Sequence, residues 1–244
     1  THLKFYIEEG GVFNDITPIR KTTTGAATFA AVNGSSTLTV TDASHDALAN
    51  DFVTFSSAAS LGGNIIAAVL NQEYQIVSVS GNDYTIVAKD TSGDTVTANS
   101  SDSGNGGGST VAKYQINVGL DTVVGGTGFG AGTFGRGTFG SAAALGVTSE
   151  LRLWSQDNFG EDLLINVRDG AIYRWDKTNG LGVRAVELSS LTDASDTPTV
   201  AKQILVSDTD RHVLAFGTNA QDSAVQDDLL IRFSDQESAI DWTA

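Results

Sequence analysis

The chain has no cysteine and no methionine, only 2 prolines, and 14 Lys and Arg against 29 Asp and Glu. Without cysteine there is no disulfide framework, no thiolate metal site and no thiol nucleophile. Methionine is missing even at position 1, and the sequence stops at Asp241-Trp242-Thr243-Ala244 without a tail. Both features give the expectation of a piece cut from something longer. The net charge of −15 repels phosphate, which argues against general nucleic-acid binding and against anionic membranes. No apolar run approaches the ~20 residues of a membrane span. The first residues, Thr1-His2-Leu3-Lys4, do not form a signal peptide.

Catalytic and metal motifs are also scarce. There is no P-loop and no Gly-x-Ser-x-Gly elbow. His2, His45 and His212 lie far apart and lack metal-ligand spacing, so surface or turn positions are expected for them. Asp90/Asp94, Asp193/Asp196, Asp208/Asp210 and Asp227/Asp228 fall in turn-like stretches, and none completes an EF-hand. Gly130–Gly135 and Gly135–Gly140 match a dinucleotide fingerprint, but no amphipathic helix follows to meet a pyrophosphate. No catalytic, cofactor-binding or metal-binding residue is assigned. With 29 acids some carboxylate pair will always be near, yet none stands out for glycoside hydrolysis.

What is present is β-rich. Apolar residues make up 40% of the chain, Gly numbers 27, and no segment beyond ~10 residues has helical periodicity. The sequence predicts an all-β protein. Leu3–Glu8 and Val12–Ile16 form a hairpin over Glu9-Gly10-Gly11, and Lys21–Ala27 reads as a linker. Strands follow at Ser36–Thr41, Asp51–Ser56, Glu73–Val79, Tyr84–Ala88 and Val111–Val118. Ile65–Leu70 is ambiguous between strand and helical turn, and Ser100–Ser109 is a low-complexity flexible loop.

The richest stretch is Val147–Asp176. A strand at Glu150–Ser155 carries Trp154. Leu163–Val167 and Ala171–Trp175 flank Arg168-Asp169-Gly170, a strong hairpin signal because tight two-residue turns need positive φ. Further strands are expected at Val183–Leu188, Lys202–Ser207, Val213–Phe216 and Asp227–Ser234. Leu229–Gln236 partly echoes Leu151–Asp157, as repeated meanders would. Trp154, Trp175 and Trp242 are taken as packing anchors. Phe129, Phe134 and Phe139 recur every five residues in a Gly/Phe repeat and are read as pins of an ordered loop. The expected organisation is a hairpin and linker over 1–28, an inserted β-sandwich or barrel module over 29–118, a Gly/Phe connector over 119–146, and propeller-like meanders over 147–244.

HLKFYIEEGGVFNDITPIRKTT, the Gly/Phe repeat, LRLWSQDNFGEDLLINVRDGAIYRWD, RAVEL, VLAFGTN and LLIRFSDQESAIDWTA together resemble a known family. It is the tail nozzle, or hub, proteins of short-tailed bacteriophages, also called packaged-DNA stabilisation proteins. His45–Phe55 resembles a small β module that recurs in phage tail proteins. The resemblance implies a structural protein of the virion tail, assembled in the host cytoplasm. It implies a homohexameric tube below the tail adaptor, with a β-propeller-like core, that retains packaged DNA and passes it during ejection without specific binding. No cofactor and no catalytic residue come with it. Residues 147–244 supply about two blades of ~40 residues, too few to close a propeller. The alternatives are a host-recognition or glycan-binding tail module, with Phe129, Phe134 and Phe139 as ligand platforms, and a carbohydrate-cleaving tail enzyme.

Overall fold

The computed structural model describes residues 4–117 and 153–243. The early strands are β1 (Tyr6–Glu9), β2 (Val12–Asp15), β3 (Ile19–Thr24), β4 (Thr28–Ala31), β5 (Thr37–Thr41), β6 (Phe52–Ser56), β7 (Glu73–Gln75), β8 (Ser78–Ser80), β9 (Asp83–Val87), β10 (Asp102–Asn105) and β11 (Val111–Gln115). The later ones are β12 (Trp154–Phe159), β13 (Asp162–Val167), β14 (Ile172–Trp175), β15 (Val186–Glu187), β16 (Gln203–Val206), β17 (Val213–Phe216) and β18 (Ile231–Phe233). A single α-helical turn, α1 (Ala67–Leu70), occurs among the described residues. The protein is all-β, as the sequence predicts.

The described residues fall into two compact units. The sandwich unit takes 6–117 and 178–187. Within it, one sheet has the order β10-β4-β5-β9-β8 and a second runs β15-β3-β11-β6-β7. Both sheets turn their apolar alternate residues to one core. Leu38 and Val40 of β5, Val53 and Phe55 of β6, and Tyr84 and Ile86 of β9 are buried, with threonines and polar residues between them. This period of two is what a half-buried strand requires. Phe29 meets Phe55 edge-on with centroids 4.9 Å apart, tying one sheet to the other. Among the described residues β1 and β2 pair only with each other, as a two-stranded ribbon.

Two stretches of this unit differ from the sequence reading. Lys21–Thr24, expected as linker, belongs to β3, an inner strand between β15 and β11. Its threonines suit a strand, but the partner Val111–Gln115 lies some 90 residues away, so no local pattern marks the pairing. Ser100–Ser109, expected as a flexible loop, contains β10, paired with β4. Its glycines have a packing reason. Gly106 sits at φ 82° beneath the Phe29 ring, where an added Cβ would come 2.6 Å from Cδ2. The ambiguous Ile65–Leu70 resolves into a bridge at Ile65 followed by α1.

The meander unit takes 4–5, 153–177 and 188–243. It holds two three-stranded antiparallel meanders, β12-β13-β14 and β16-β17-β18. They share one core of Leu164, Ile172, Ile204, Val213, Ala215 and Trp242, with further small residues. β16 is an edge strand on the side facing β12, and its backbone is satisfied by side chains. Ile204 N–H donates to Ser155 Oγ at 3.0 Å and Val206 N–H to Asp157 Oδ2 at 2.8 Å. Polar side chains thus stand in for a missing ladder.

The hairpin between β13 and β14 forms at the expected place, with Gly170 N–H donating to Val167 O at 2.9 Å. Asp169 is the residue at positive φ, 58°. Gly170 serves close packing instead: a Cβ there would lie 2.4 Å from Val167 Cγ1. Gly170→Ala is therefore expected to destabilise the unit by about 1–3 kcal/mol through overpacking, read as a fall in the urea midpoint at unchanged slope. The strand that carries Trp154 begins there and runs to Phe159, later than the expected Glu150–Ser155. Residues 118–152 lie outside the described set. Of the later strands, β17 spans Val213–Phe216 as expected, whereas β15 is reduced to Val186–Glu187 and β18 to Ile231–Phe233. Of the echoed segments, Leu151 and Arg152 lie outside the described residues; Trp154 opens β12, whereas Phe233 closes β18 and is 51% exposed.

Candidate functional site

The tryptophans differ in setting. Trp242 is buried in the meander core and its indole N–H donates to Ala239 O at 3.0 Å. Trp175 is also buried, with no hydrogen-bond partner for Nε1 among the described residues. Trp154 is only partly covered and meets Phe5 edge-on at 4.9 Å. Phe129, Phe134 and Phe139 lie outside the described residues.

Trp154 lines a groove of the meander unit. This open groove of about 490 Å³ lies where β12 and β16 begin and β13 and β17 end. Its walls include Trp154, Arg168, Lys202, Gln203, Phe216 and Asp228. The antiparallel ladders bring these residues to one end. Trp154 is the first residue of β12, Phe216 the last of β17, Lys202 precedes β16, and Arg168 follows β13. Lys202 Nζ is 2.7 Å from Asp228 Oδ2. Arg168 is exposed and joins no salt bridge among the described residues. Two aromatic rings and two cations therefore converge in a chain of net charge −15. The groove can take a group that is flat or apolar on one side and anionic on another. Sequence reasoning identified Trp154 but missed Arg168, Lys202 and Phe216, because four separate strand ends contribute and no spacing links them.

Behind the groove a buried polar relay fixes its frame. Asn166 is fully buried, and its amide faces the carbonyls of Val167, Gly170, Ala171 and Ala201 at 3.0–3.2 Å. Its oxygen accepts from Ser155 Oγ at 3.2 Å. Ala201 N–H donates to Gly170 O at 2.9 Å, so the Arg168 turn is bonded to the approach to β16.

The sandwich unit holds a second polar cluster. His45, expected at a surface or turn, is only 3% exposed. Ala47 N–H donates to its Nδ1 at 2.9 Å, which leaves Nε2–H to donate to Gly81 O at 3.2 Å. Its ring packs edge-on against Tyr84, with centroids 5.1 Å apart. The histidine is buried because this short loop folds its ring under the sheet and satisfies both nitrogens from backbone. Tyr84 and Tyr114 share a hydroxyl hydrogen bond at 2.9 Å, and Tyr114 donates to Asp42 Oδ2 at 2.5 Å. Thr23 also donates to that oxygen. Asp42 Oδ1 is buried with no partner among the described residues. Asp42, His45, Tyr84 and Tyr114 are each exposed by 3% or less, and the cluster reads as structural.

Burial raises the hydroxyl pKa of Tyr84 and Tyr114 above the ordinary value of 10.0, with Asp42 adding to the shift in both. In the unfolded chain both ionise near that value. The folded state keeps its protons to higher pH, so the stability they confer is complete below pH 10 and falls as pH rises beyond it. The expected slope is about 1.4 kcal/mol per pH unit for each tyrosine. In an alkaline titration, phenolate absorbance from these two tyrosines should appear only together with loss of the folded circular-dichroism signal.

The aspartate pairs act in turns where the structure shows them. Asp90 Oδ1 accepts from Ser92 N–H and Asp94 N–H, each at 2.9 Å, and Asp227 Oδ1 accepts from Leu229 N–H at 2.9 Å. No group of three or more metal-ligating side chains occurs among the described residues. No described helix is long and apolar enough to cross a membrane.

No family model matches the chain, and no curated protein matches it. Among solved structures, a phage phi92 endosialidase aligns with 88% of this chain and 30% of its own length. The TM-score is 0.31 and the identity 10%. The chain thus spans less than a third of that protein, and the likeness is too low to carry an argument about fold or function.

Proposed function

We propose that this chain is a structural module of a short-tailed phage tail, part of a nozzle or hub that conducts DNA. The observation that carries the reading is the pair of three-stranded antiparallel meanders packed on one core. Propeller blades are four-stranded antiparallel meanders packed face to face, and each of these meanders supplies three such strands. The sequence resemblance supports the same reading over nearly the whole chain. The domain limits proposed are an N-terminal segment over 1–28, in which the hairpin is followed by β3 of the sandwich unit, an inserted module over 29–118, a connector over 119–146, and blades over 147–244 apart from 178–187, which belong to the sandwich unit. The tryptophans act as packing anchors, and no side chain is given a catalytic role. The charge of −15 fits a conduit for a polyanion, since each Lys or Arg contact to phosphate would retard transit.

In this role the copies surround the tail axis as a homohexamer beneath an adaptor, and DNA passes without specific binding. Electron microscopy of intact tails, with this chain tagged, tests it. Six copies around the axis are expected. Finding the chain only at fibre tips overturns the reading in favour of host recognition.

A further inference from the structure

We infer that the β1–β2 hairpin of one copy docks into the Trp154–Phe216 groove of a second copy, joining copies head to tail. The inference rests on the multi-copy reading above and names its contact.

The hairpin has the form of an interaction arm. Among the described residues it pairs with no other strand, and a lone two-stranded ribbon is marginal in water. It nevertheless exposes Phe13 by 72%, Val12 by 59% and Tyr6 by 52%. Tyr6 and Phe13 pack edge-on at 6.5 Å, so the exposed aromatics form one patch. The arm is also stiffened locally. Gly10 and Gly11 take positive φ at the turn, and Glu8 Oε1 accepts from Gly11 N–H at 2.6 Å. Holding large rings rigidly in water lowers the entropy cost of docking them.

The chemistry of the two surfaces is complementary. The arm carries Glu8 and Glu9 at its tip and no Lys or Arg, while Asp15 at its base is paired with Arg184 at 3.3 Å. The groove presents Arg168 beside Trp154 and Phe216, together with Lys202, which Asp228 of the same groove pairs at 2.7 Å. At about 490 Å³ it falls within the ~300–1,000 Å³ of pockets that bury such groups. Phe13 supplies the aromatic anchor, and Glu8 and Glu9 face the cations. Opposite charge at the rim sets register and suppresses wrong partners. Because arm and groove are different surfaces, the contact is heterologous. Repeated, it closes into a ring when the rotation allows, as a tube of identical copies requires.

The test uses the full chain and its sedimentation over a range of concentrations. Phe13→Asp and Arg168→Glu should each weaken association at least about thirtyfold, the loss of a hot-spot anchor. Circular dichroism and melting temperature check that each variant folds, and Glu9→Lys serves where Phe13→Asp does not. The decisive experiment mixes the two variants. One intact arm then meets one intact groove, so the mixture should give dimers although neither variant associates alone. A wild-type chain that stays monomeric, or variants that keep wild-type size, overturns the inference. Saccharide binding on a glycan array that Arg168→Glu abolishes, with size unchanged, also overturns it and assigns the groove to a sugar. Wild-type size in both variants alongside six copies in the tail removes this contact and leaves the tail reading standing. Dimers in the mixture alongside fibre-tip location do the reverse.

Discussion

Trp242→Ala is expected to destabilise the meander unit by about 3–5 kcal/mol, the largest single-residue loss in that unit. The indole is 2% exposed and fills the centre of the shared core, among Leu164, Ile172, Ile204, Val213 and Ala215. Those neighbours are fixed by strand ladders, so the space left by the ring cannot collapse. Two polar ties go with it. Nε1–H donates to Ala239 O at 3.0 Å, and the Arg232 guanidinium lies 6.0 Å from the ring centroid. Trp242→Phe should recover much of the loss, leaving about 1–3 kcal/mol for the unpaired Ala239 carbonyl. Urea unfolding followed by the fluorescence of the other tryptophans gives both numbers. An alanine variant within 1 kcal/mol of wild type, on the order of a surface substitution, would sink the shared-core account.

The sandwich unit should respond as strongly to Asp51→Ala, again by about 3–5 kcal/mol. This carboxylate is 2% exposed. Its Oδ2 takes Arg20 Nε at 3.2 Å, Arg20 Nη2 at 3.1 Å and the Leu48 N–H at 2.9 Å. Its Oδ1 takes the Asn117 N–H at 2.9 Å. One side chain therefore ties β3, the loop before β6 and the segment after β11. Alanine removes all four acceptor contacts and leaves two backbone donors and the partly exposed Arg20 guanidinium without this acceptor. Asp51→Asn keeps a carbonyl oxygen and should cost less, about 1–3 kcal/mol. Thermal melts of the two variants separate these cases, since an asparagine as damaging as alanine would show that charge alone matters.

Different parts of the fold were legible in the sequence to different degrees. The β13–β14 hairpin was visible because its turn and its flanking apolar runs are contiguous. The strands with Leu38 and Val40, and with Phe55, were visible because alternation is a local property. β10 and the second half of β3 were hidden. Their residues are threonine, serine, aspartate and glycine, and only distant partners make them strands. His45 was misplaced for the same reason, since burial of a turn histidine depends on which sheet lies over it. The candidate groove was the least legible. Trp154 stood out by size, but Arg168, Lys202 and Phe216 come from separate strand ends that meet only in the folded unit.

By itself the sequence determined an all-β protein without thiol chemistry, strongly acidic, with short strands set off by glycine and aspartate. Those properties follow from composition and from a two-residue period, which each segment carries alone. Tertiary structure decided the rest: which strands pair across 90 residues, which of the two sheets encloses His45 and Asp42, and that two cations meet two aromatic rings in an acidic chain. Long-range pairing depends on the closure of loops and the shape of a shared core, and no single segment encodes either.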